Sequence, residues 1–225
     1  MNTTSAVIVF AKDPQLGRVK TRVAAESTLE FAMSFYTACL DHLFDWLRQS
    51  SFQVLLFLAP PAEGSFFTKY GKLPVYVQEG ADLGRRMHDA LQRAFINHDR
   101  AVIIGSDIPG ITQTLLQKAF EALDTSDAVI GPCTDGGYYL IGFRKESFID
   151  CFQDIKWSSD TVFFETMLRL QHNTVALLPR LDDMDTMEDI HRCATQGLLP
   201  PALLTLAQEL VMENSTPKGF PGNAV

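Results

Sequence analysis

Four stretches of this sequence concentrate side chains able to do chemistry. Residues 12–22 (KDPQLGRVKTR) carry four basic side chains against one acid, in a chain of net charge −8. Ser106-Asp107-Ile108-Pro109 follows the apolar run 101–104. Cys133-Thr134-Asp135-Gly136-Gly137 separates two further apolar runs, and residues 181–189 (LDDMDTMED) hold five acids and no base. A basic loop after a first strand can cradle phosphates, with Lys20 and Arg22 as anion clamps, or it can be a solvated loop. A carboxylate on a short turn past a strand's carboxyl end can reach a metal ion or a hydroxyl. Asp107 is therefore either such a group or a cap of its turn or of the helix near Thr112. Asp-Gly between apolar runs signals a hairpin; alternatively, Gly136 and Gly137 let the backbone approach a ligand, with Asp135 beside it. In the acidic stretch, Thr186 and Asp189 have helix-capping spacing, and acids suit a helix's positive end. Capping leaves Asp182, Asp183 and Asp185 unexplained, and adjacent like charges call for a cation.

These groups need a scaffold, and the apolar pattern supplies one. Residues 7–11, 52–59, 75–77, 101–104, 128–131, 138–143 and 174–178 read as strands, rich in β-branched and aromatic side chains. Between them, Leu29, Met33, Tyr36, Leu40, Leu43 and Leu47 recur at helical spacing behind a capping-box signal from Ser27 and Glu30. Further helices are expected over 83–95, 115–123, 160–170, 186–193 and 201–212. Arg85 and Arg86 sit beside the apolar stripe of the first of these, toward solvent or toward the site. Strands alternating with helices predict a three-layer α/β/α fold with a mostly parallel sheet. All four polar stretches follow carboxyl ends of strands, so they can converge on one rim, which favours an enzyme.

A length of 225 residues suits one domain, expected over 1–213, with a Pro- and Gly-rich loose tail at 214–225. Hydrophobic content of 46% and charged content of 20% are those of a globular protein. The acidic balance argues against nucleic acid or an anionic membrane as partner, but not against a nucleotide bound by a local basic loop or a divalent cation. Cys39, Cys133, Cys151 and Cys193 form no CxxC pair and read as buried thiols in a reducing compartment. With no signal-peptide pattern and no membrane-length apolar run, a cytoplasmic location is expected. No histidine falls in the four stretches and Cys133 has no evident base, which disfavours a serine or cysteine nucleophile.

Taken together, FAKDPQLGRVKTR, IGSDIP, GPCTDGGYYLIG and DMDTMED resemble a bacterial family of GT-A glycosyltransferases, the radical-SAM/selenodomain-associated transferases. The resemblance covers roughly the first 195 residues and implies the Rossmann-like fold of nucleotide-diphospho-sugar transferases. More distantly, the layout is similar to molybdenum-cofactor guanylyltransferases, phospholactate guanylyltransferases and KDO cytidylyltransferases. That similarity implies that Lys12, Lys20 and Arg22 wrap nucleotide phosphates, with Gly17 and Ser106 in the same phosphate-binding motifs. It also implies that Asp107 and Asp185 hold Mg²⁺ or Mn²⁺. The loop has the single glycine Gly17 where many nucleotidyltransferases have a glycine-rich run. The implied activity is a metal-dependent transfer from a nucleotide to a small-molecule acceptor, with Asp135-Gly136-Gly137 on the acceptor side. Nucleotidyl transfer from an NTP is slightly favoured over glycosyl transfer from a nucleotide sugar, for which Asp135 is the candidate base. A non-catalytic nucleotide-binding module is the remaining alternative.

Overall fold

A strand whose side chains are apolar on both faces is satisfied only when helices cover both sides of its sheet. The computed structural model, which describes residues 3–215, shows this arrangement. In chain order the elements are β1 (Ser5–Ala11), α1 (Thr21–Glu26), α2 (Leu29–Leu47), β2 (Gln53–Leu58), β3 (Val75–Val77), α3 (Leu83–Ala94) and β4 (Arg100–Gly105). There follow α4 (Gln113–Ala122), β5 (Ala128–Pro132), β6 (Tyr138–Arg144), α5 (Val162–Arg169), β7 (Val175–Leu177), α6 (Met187–Thr195) and α7 (Pro201–Ser215). The sheet runs β3-β2-β1-β4-β6-β5-β7, parallel except for β6, which is antiparallel to β4 and β5. The expected three-layer, mostly parallel architecture is therefore present.

Alternation along the strands divides the core. Val7, Val9 and Leu56 point to one face, where Leu40, Leu43 and Phe44 of α2 and Leu116, Ala119 and Phe120 of α4 cover them. Ala6, Ile8 and Phe57 point to the other, against Met87, Ala90, Leu91 and Ala94 of α3. A third cluster contains no strand residue. Val23 of α1, Phe35 and Cys39 of α2, Met187 and Ile190 of α6, and Leu203 of α7 pack together with Met184. This helical annex clamps the acidic stretch against the start of α1, and so sets where Asp185 stands. All four cysteines are buried free thiols.

Two local expectations change. Thr21 and Arg22, read as the end of the basic loop, instead open the short helix α1. Its end takes up Ser27, whose hydroxyl donates to the Val23 carbonyl at 2.7 Å. Thr28 therefore caps α2 instead, accepting the Phe31 N–H at 3.0 Å, and the Ser27–Glu30 box does not form. The α6 box does: Thr186 and Asp189 cap reciprocally. Helix α7 continues to Ser215, and residues 216–225 of the expected tail lie outside the described residues. Among the described residues no helix is long and apolar enough to cross a membrane.

Candidate active site

Strands β1 and β4 are parallel neighbours with Phe10 opposite Gly105, so their chains leave the sheet side by side. A cleft of about 380 Å³ opens at that point, in the position where open α/β sheets bind ligands. Lys12, Lys20, Arg22, Ser106, Asp107 and Asp185 all line it. Three distant stretches of the sequence thus meet at one site. Gly17 does not line the cleft; it makes a turn with φ of 75°.

Lys20 sits at the centre. It is the residue before α1, with φ 46° and ψ 47°, a left-handed conformation that side chains bearing a Cβ enter at a cost. That backbone turn directs its ammonium inward. The Nζ donates to Asp107 Oδ2 at 2.9 Å, to the Met184 carbonyl at 2.7 Å and to Asp185 Oδ1 at 3.1 Å. All three ammonium donors are thereby used, and the side chain is only 3% exposed. Burial alone would lower the Lys20 pKa, but the Asp107 and Asp185 carboxylates outweigh it and raise the value above that of an ordinary lysine. Burial likewise works to raise the Asp107 pKa, and Lys20 overcomes it, holding the carboxyl below its usual range. Arg22 is largely exposed, with Nη1 3.7 Å from Asp185 Oδ2.

The other acids of the stretch divide by partner. Asp182 accepts from the Thr134 hydroxyl at 2.6 Å and faces Arg192 at 3.8 Å. Asp189 closes the α6 capping box and pairs with Arg192 at 2.8 Å. Asp183 is pushed up to about 6 by burial and by the carboxylates of Asp135 and Asp185. Lys20 and Arg22 relieve the like charges at Asp185, and Arg192 and Thr134 those at Asp182 and Asp189, whereas at Asp183 the repulsion persists and shows as its raised pKa. Of these acids, Asp185 is the one that reaches the cleft wall.

The Asp135 loop is a hairpin turn between β5 and β6. Asp135 Oδ1 accepts the Gly137 N–H at 2.8 Å. Gly136 adopts φ 91°, and a Cβ there would stand 2.1 Å from the Asp160 carbonyl. The space its missing side chain leaves is filled by the protein's own backbone, and neither glycine lines the cleft. Asp135 is exposed and also outside the cleft wall.

Tyr36, Gln78, Leu83 and Arg86 are among the further residues that reach the cleft. Tyr36 looked like one more apolar step of the α2 stripe; its ring is in the core, but its hydroxyl is at the site. A tyrosine where phenylalanine would serve the core was the available signal. Gln78, 6% exposed, donates its amide to the Phe57 carbonyl at 3.0 Å. Leu83 adds an apolar wall, and Arg86, whose direction the sequence left open, turns toward the cleft while Arg85 does not line it. The buried Asp13, the one acid of the basic stretch, accepts from the N–H groups of Glu63 and Gly64 at 2.5 and 3.0 Å, tying the loop after β1 to the loop after β2.

The family model "Uncharacterized protein conserved in bacteria (DUF2064)" matches residues 42–159, more than half of the chain. The protein belongs to this family. The match includes Asp107 and Asp135, whereas Lys20, Arg22 and Asp185 lie outside the matched segment. A DUF2064 chain with this architecture has the nucleotide-diphospho-sugar transferase fold. It is similar to a "putative nucleotide-diphospho-sugar transferase" from Desulfovibrio desulfuricans G20 at 31% identity and TM-score 0.87, covering 94% of this chain and 98% of that one. A cytidylyltransferase from Leptospira borgpetersenii aligns at 14% identity and TM-score 0.60, covering 95% and 96% of the two chains. A CMP:2-keto-3-deoxy-manno-octonic acid synthetase complexed with CTP aligns at 12% and TM-score 0.54, covering 92% and 100%. The last two are similar in fold. No curated protein matches the sequence.

Proposed function

We propose that this protein is a Mg²⁺-dependent transferase acting on a nucleotide, and that the reaction is nucleotidyl transfer from an NTP to a small phosphorylated or hydroxylated acceptor, releasing pyrophosphate. The observation that carries this reading is the convergence of Asp107 and Asp185 on one cationic point, inside a cleft otherwise edged by Lys12, Arg22 and Arg86. A transferase is also what the 31%-identical relative is described to be.

The donor set fits the metal. Two carboxylates aim hard oxygens at the same place, and Mg²⁺ is commonly held by one or two carboxylates together with substrate phosphates and water. Among the described residues no three His, Cys, Asp or Glu side chains cluster as a ready metal cage. Asp107 and Asp185 would therefore hold an ion that the nucleotide's phosphates help to coordinate. When bound, such an ion would neutralise charge developing at the α-phosphate of the transferred nucleotidyl group.

The chain's own residues do the rest. Lys12 and Arg22 meet the phosphate oxygens, and Arg can do so with two parallel hydrogen bonds. Lys20 changes partner as the phosphates arrive, from carboxylate to leaving group, and stabilises the departing negative charge. The acceptor oxygen attacks the α-phosphorus, the bond to the bridging oxygen breaks, and pyrophosphate leaves. This in-line displacement asks little of a general base.

Glycosyl transfer is the second reading, favoured by the description of the Desulfovibrio relative. An inverting version needs a base, and Asp135 lies outside the cleft wall. The deciding experiment supplies NTPs and nucleotide sugars with a pool of small acceptors and Mg²⁺, then assays both leaving groups. Pyrophosphate from an NTP is expected. Nucleoside diphosphate from a nucleotide sugar, with no pyrophosphate from any NTP, refutes the nucleotidyl reading; binding without either product points to a non-catalytic module.

A further inference from the structure

Among the residues that line the cleft, Tyr36 is the only one from α2. Its ring is 4% exposed and packs with the core of that sheet face. Phenylalanine would fill the same volume, so the hydroxyl needs its own account. The phenol oxygen accepts the Lys12 N–H at 2.9 Å and stands 3.1 Å from the Ser106 hydroxyl, itself 6% exposed, with either of the two supplying the proton. It is also 3.3 Å from the Lys12 carbonyl. Lys12 is the first residue past β1, and Ser106 the first past β4.

The paired register of β1 and β4 ends at Phe10 and Gly105, so beyond that point the sheet no longer ties the two chains together. One buried oxygen does so instead. We infer that Tyr36 is a positioning residue, latching the exits of β1 and β4 so that the Lys12 cation and the Asp107 carboxylate keep a fixed spacing across the cleft. This rests on the reading of the cleft as a nucleotide-phosphate site and adds a residue to it. The ring anchors the latch in the long helix α2, which does not belong to either loop, so both loops are referred to one rigid element. A site must hold its groups to within a fraction of an ångström to align reacting atoms.

The test is Tyr36→Phe in the full chain, with Ser106→Ala as a second variant that keeps the ring and cuts the latch from the other side. Amide hydrogen exchange is read residue by residue in the free protein. The Lys12 amide should exchange about tenfold faster in Tyr36→Phe, since one net hydrogen bond is lost. Ile141 in β6 and Ile190 in α6 should not change. With Mg²⁺ and an NTP, affinity should fall about tenfold in Tyr36→Phe while free nucleoside binding is unaffected. Adding Ser106→Ala should cost little more, because both changes break the same tie. Unchanged exchange at Lys12 overturns the inference, and so does faster exchange with undiminished NTP affinity, which would make the tie merely structural. A native protein that binds no NTP refutes the proposed function and the positioning role that rests on it, whereas loss of the positioning role alone leaves native NTP binding intact.

Discussion

Lys20 places its ammonium 2.9 Å from Asp107 Oδ2, and the same ammonium reaches Asp185 Oδ1 at 3.1 Å. A residue of the first loop thus neutralises the pair of carboxylates proposed above to hold a metal. The arrangement inverts a simple expectation about the apo protein. Removing one of two neighbouring aspartates would relieve repulsion if they faced each other alone; with Lys20 between them, each aspartate is a partner whose loss leaves a buried cation less compensated.

Lys20→Met should therefore lower stability by about 1–2 kcal/mol, less than for a fully buried pair because both carboxylates are partly exposed. Millimolar Mg²⁺ should recover part of that loss in the variant while barely moving the native chain, whose carboxylates already have their cation. The check is thermal unfolding with and without Mg²⁺, and the double variant Lys20→Met/Asp107→Asn should lose the recovery. Equal Mg²⁺ effects on native and variant chains would show that the two carboxylates do not form a cation site.

Arg22 offers a cleaner probe of the proposed phosphate contacts, since its side chain is 69% exposed and its ion pair with Asp185 is long, at 3.7 Å. Arg22→Ala should leave the unfolding temperature nearly unchanged, as exposed pairs contribute little. Affinity for a nucleoside triphosphate should fall about tenfold or more, because a charge-assisted contact is lost, while affinity for the free nucleoside stays the same. Calorimetric titration with both ligands reads the difference. Equal losses would mean that the loop has moved rather than lost a contact.

The opposite rim carries a pH-dependent staple. Asp127, just before β5, accepts the Thr174 N–H at 2.9 Å and hydroxyl at 2.8 Å, and the Arg144 guanidinium at 2.8 Å. The Thr174 backbone and hydroxyl, then Arg144, hold its pKa below the ordinary carboxylate value. A folded-state pKa below the unfolded one, about 3.9, contributes stability above that pH and loses it as the pH falls through the depressed value. Asp127→Asn should thus cost about 1 kcal/mol at pH 7. The gap between variant and native chain should narrow in denaturant titrations as the pH drops below about 4. A gap independent of pH would show that the charge is not what matters there.

The fold was legible because strand and helix leave periodic traces: every strand and the long helices lie where the apolar runs put them. The site was legible in part. Asp107, Lys20 and Asp185 stand out as charges after apolar strands or in an unrelieved acidic run. What they do to one another was not readable, since a salt bridge between positions 20 and 185 depends on α6 docking against α1 and α2 through Met187, Ile190, Val23 and Phe35. Local pattern also hid α1, too short to show a periodicity, and with it the left-handed turn that aims Lys20. Tyr36, Gln78 and Arg86 sit in or beside apolar stripes, where one polar atom at the end of a side chain leaves no mark on the period.

Asp135 decides between the two chemistries. It is the candidate base of a glycosyl transfer, yet its Oδ1 accepts the Gly137 N–H, and the turn it closes keeps Gly136 against the Asp160 carbonyl. Asparagine preserves that acceptor and removes only the charge and the basicity. If Asp135 is a turn residue, Asp135→Asn should fold normally and keep kcat within about threefold of the native enzyme. Under the proposed function, removing the Asp107 carboxylate has a different character: Asp107→Asn should lower kcat by about 10²–10³, the scale on which single electrostatic groups at a reaction centre act. Measured side by side against the preferred nucleotide and acceptor, the pair separates the readings. A collapse of kcat in Asp135→Asn with unchanged nucleotide affinity would make Asp135 the base, which glycosyl transfer requires and nucleotidyl transfer does not. Retained turnover in that variant, with pyrophosphate as the product, assigns the carboxylate to the hairpin and leaves the chemistry to the cleft that Lys20, Asp107 and Asp185 share.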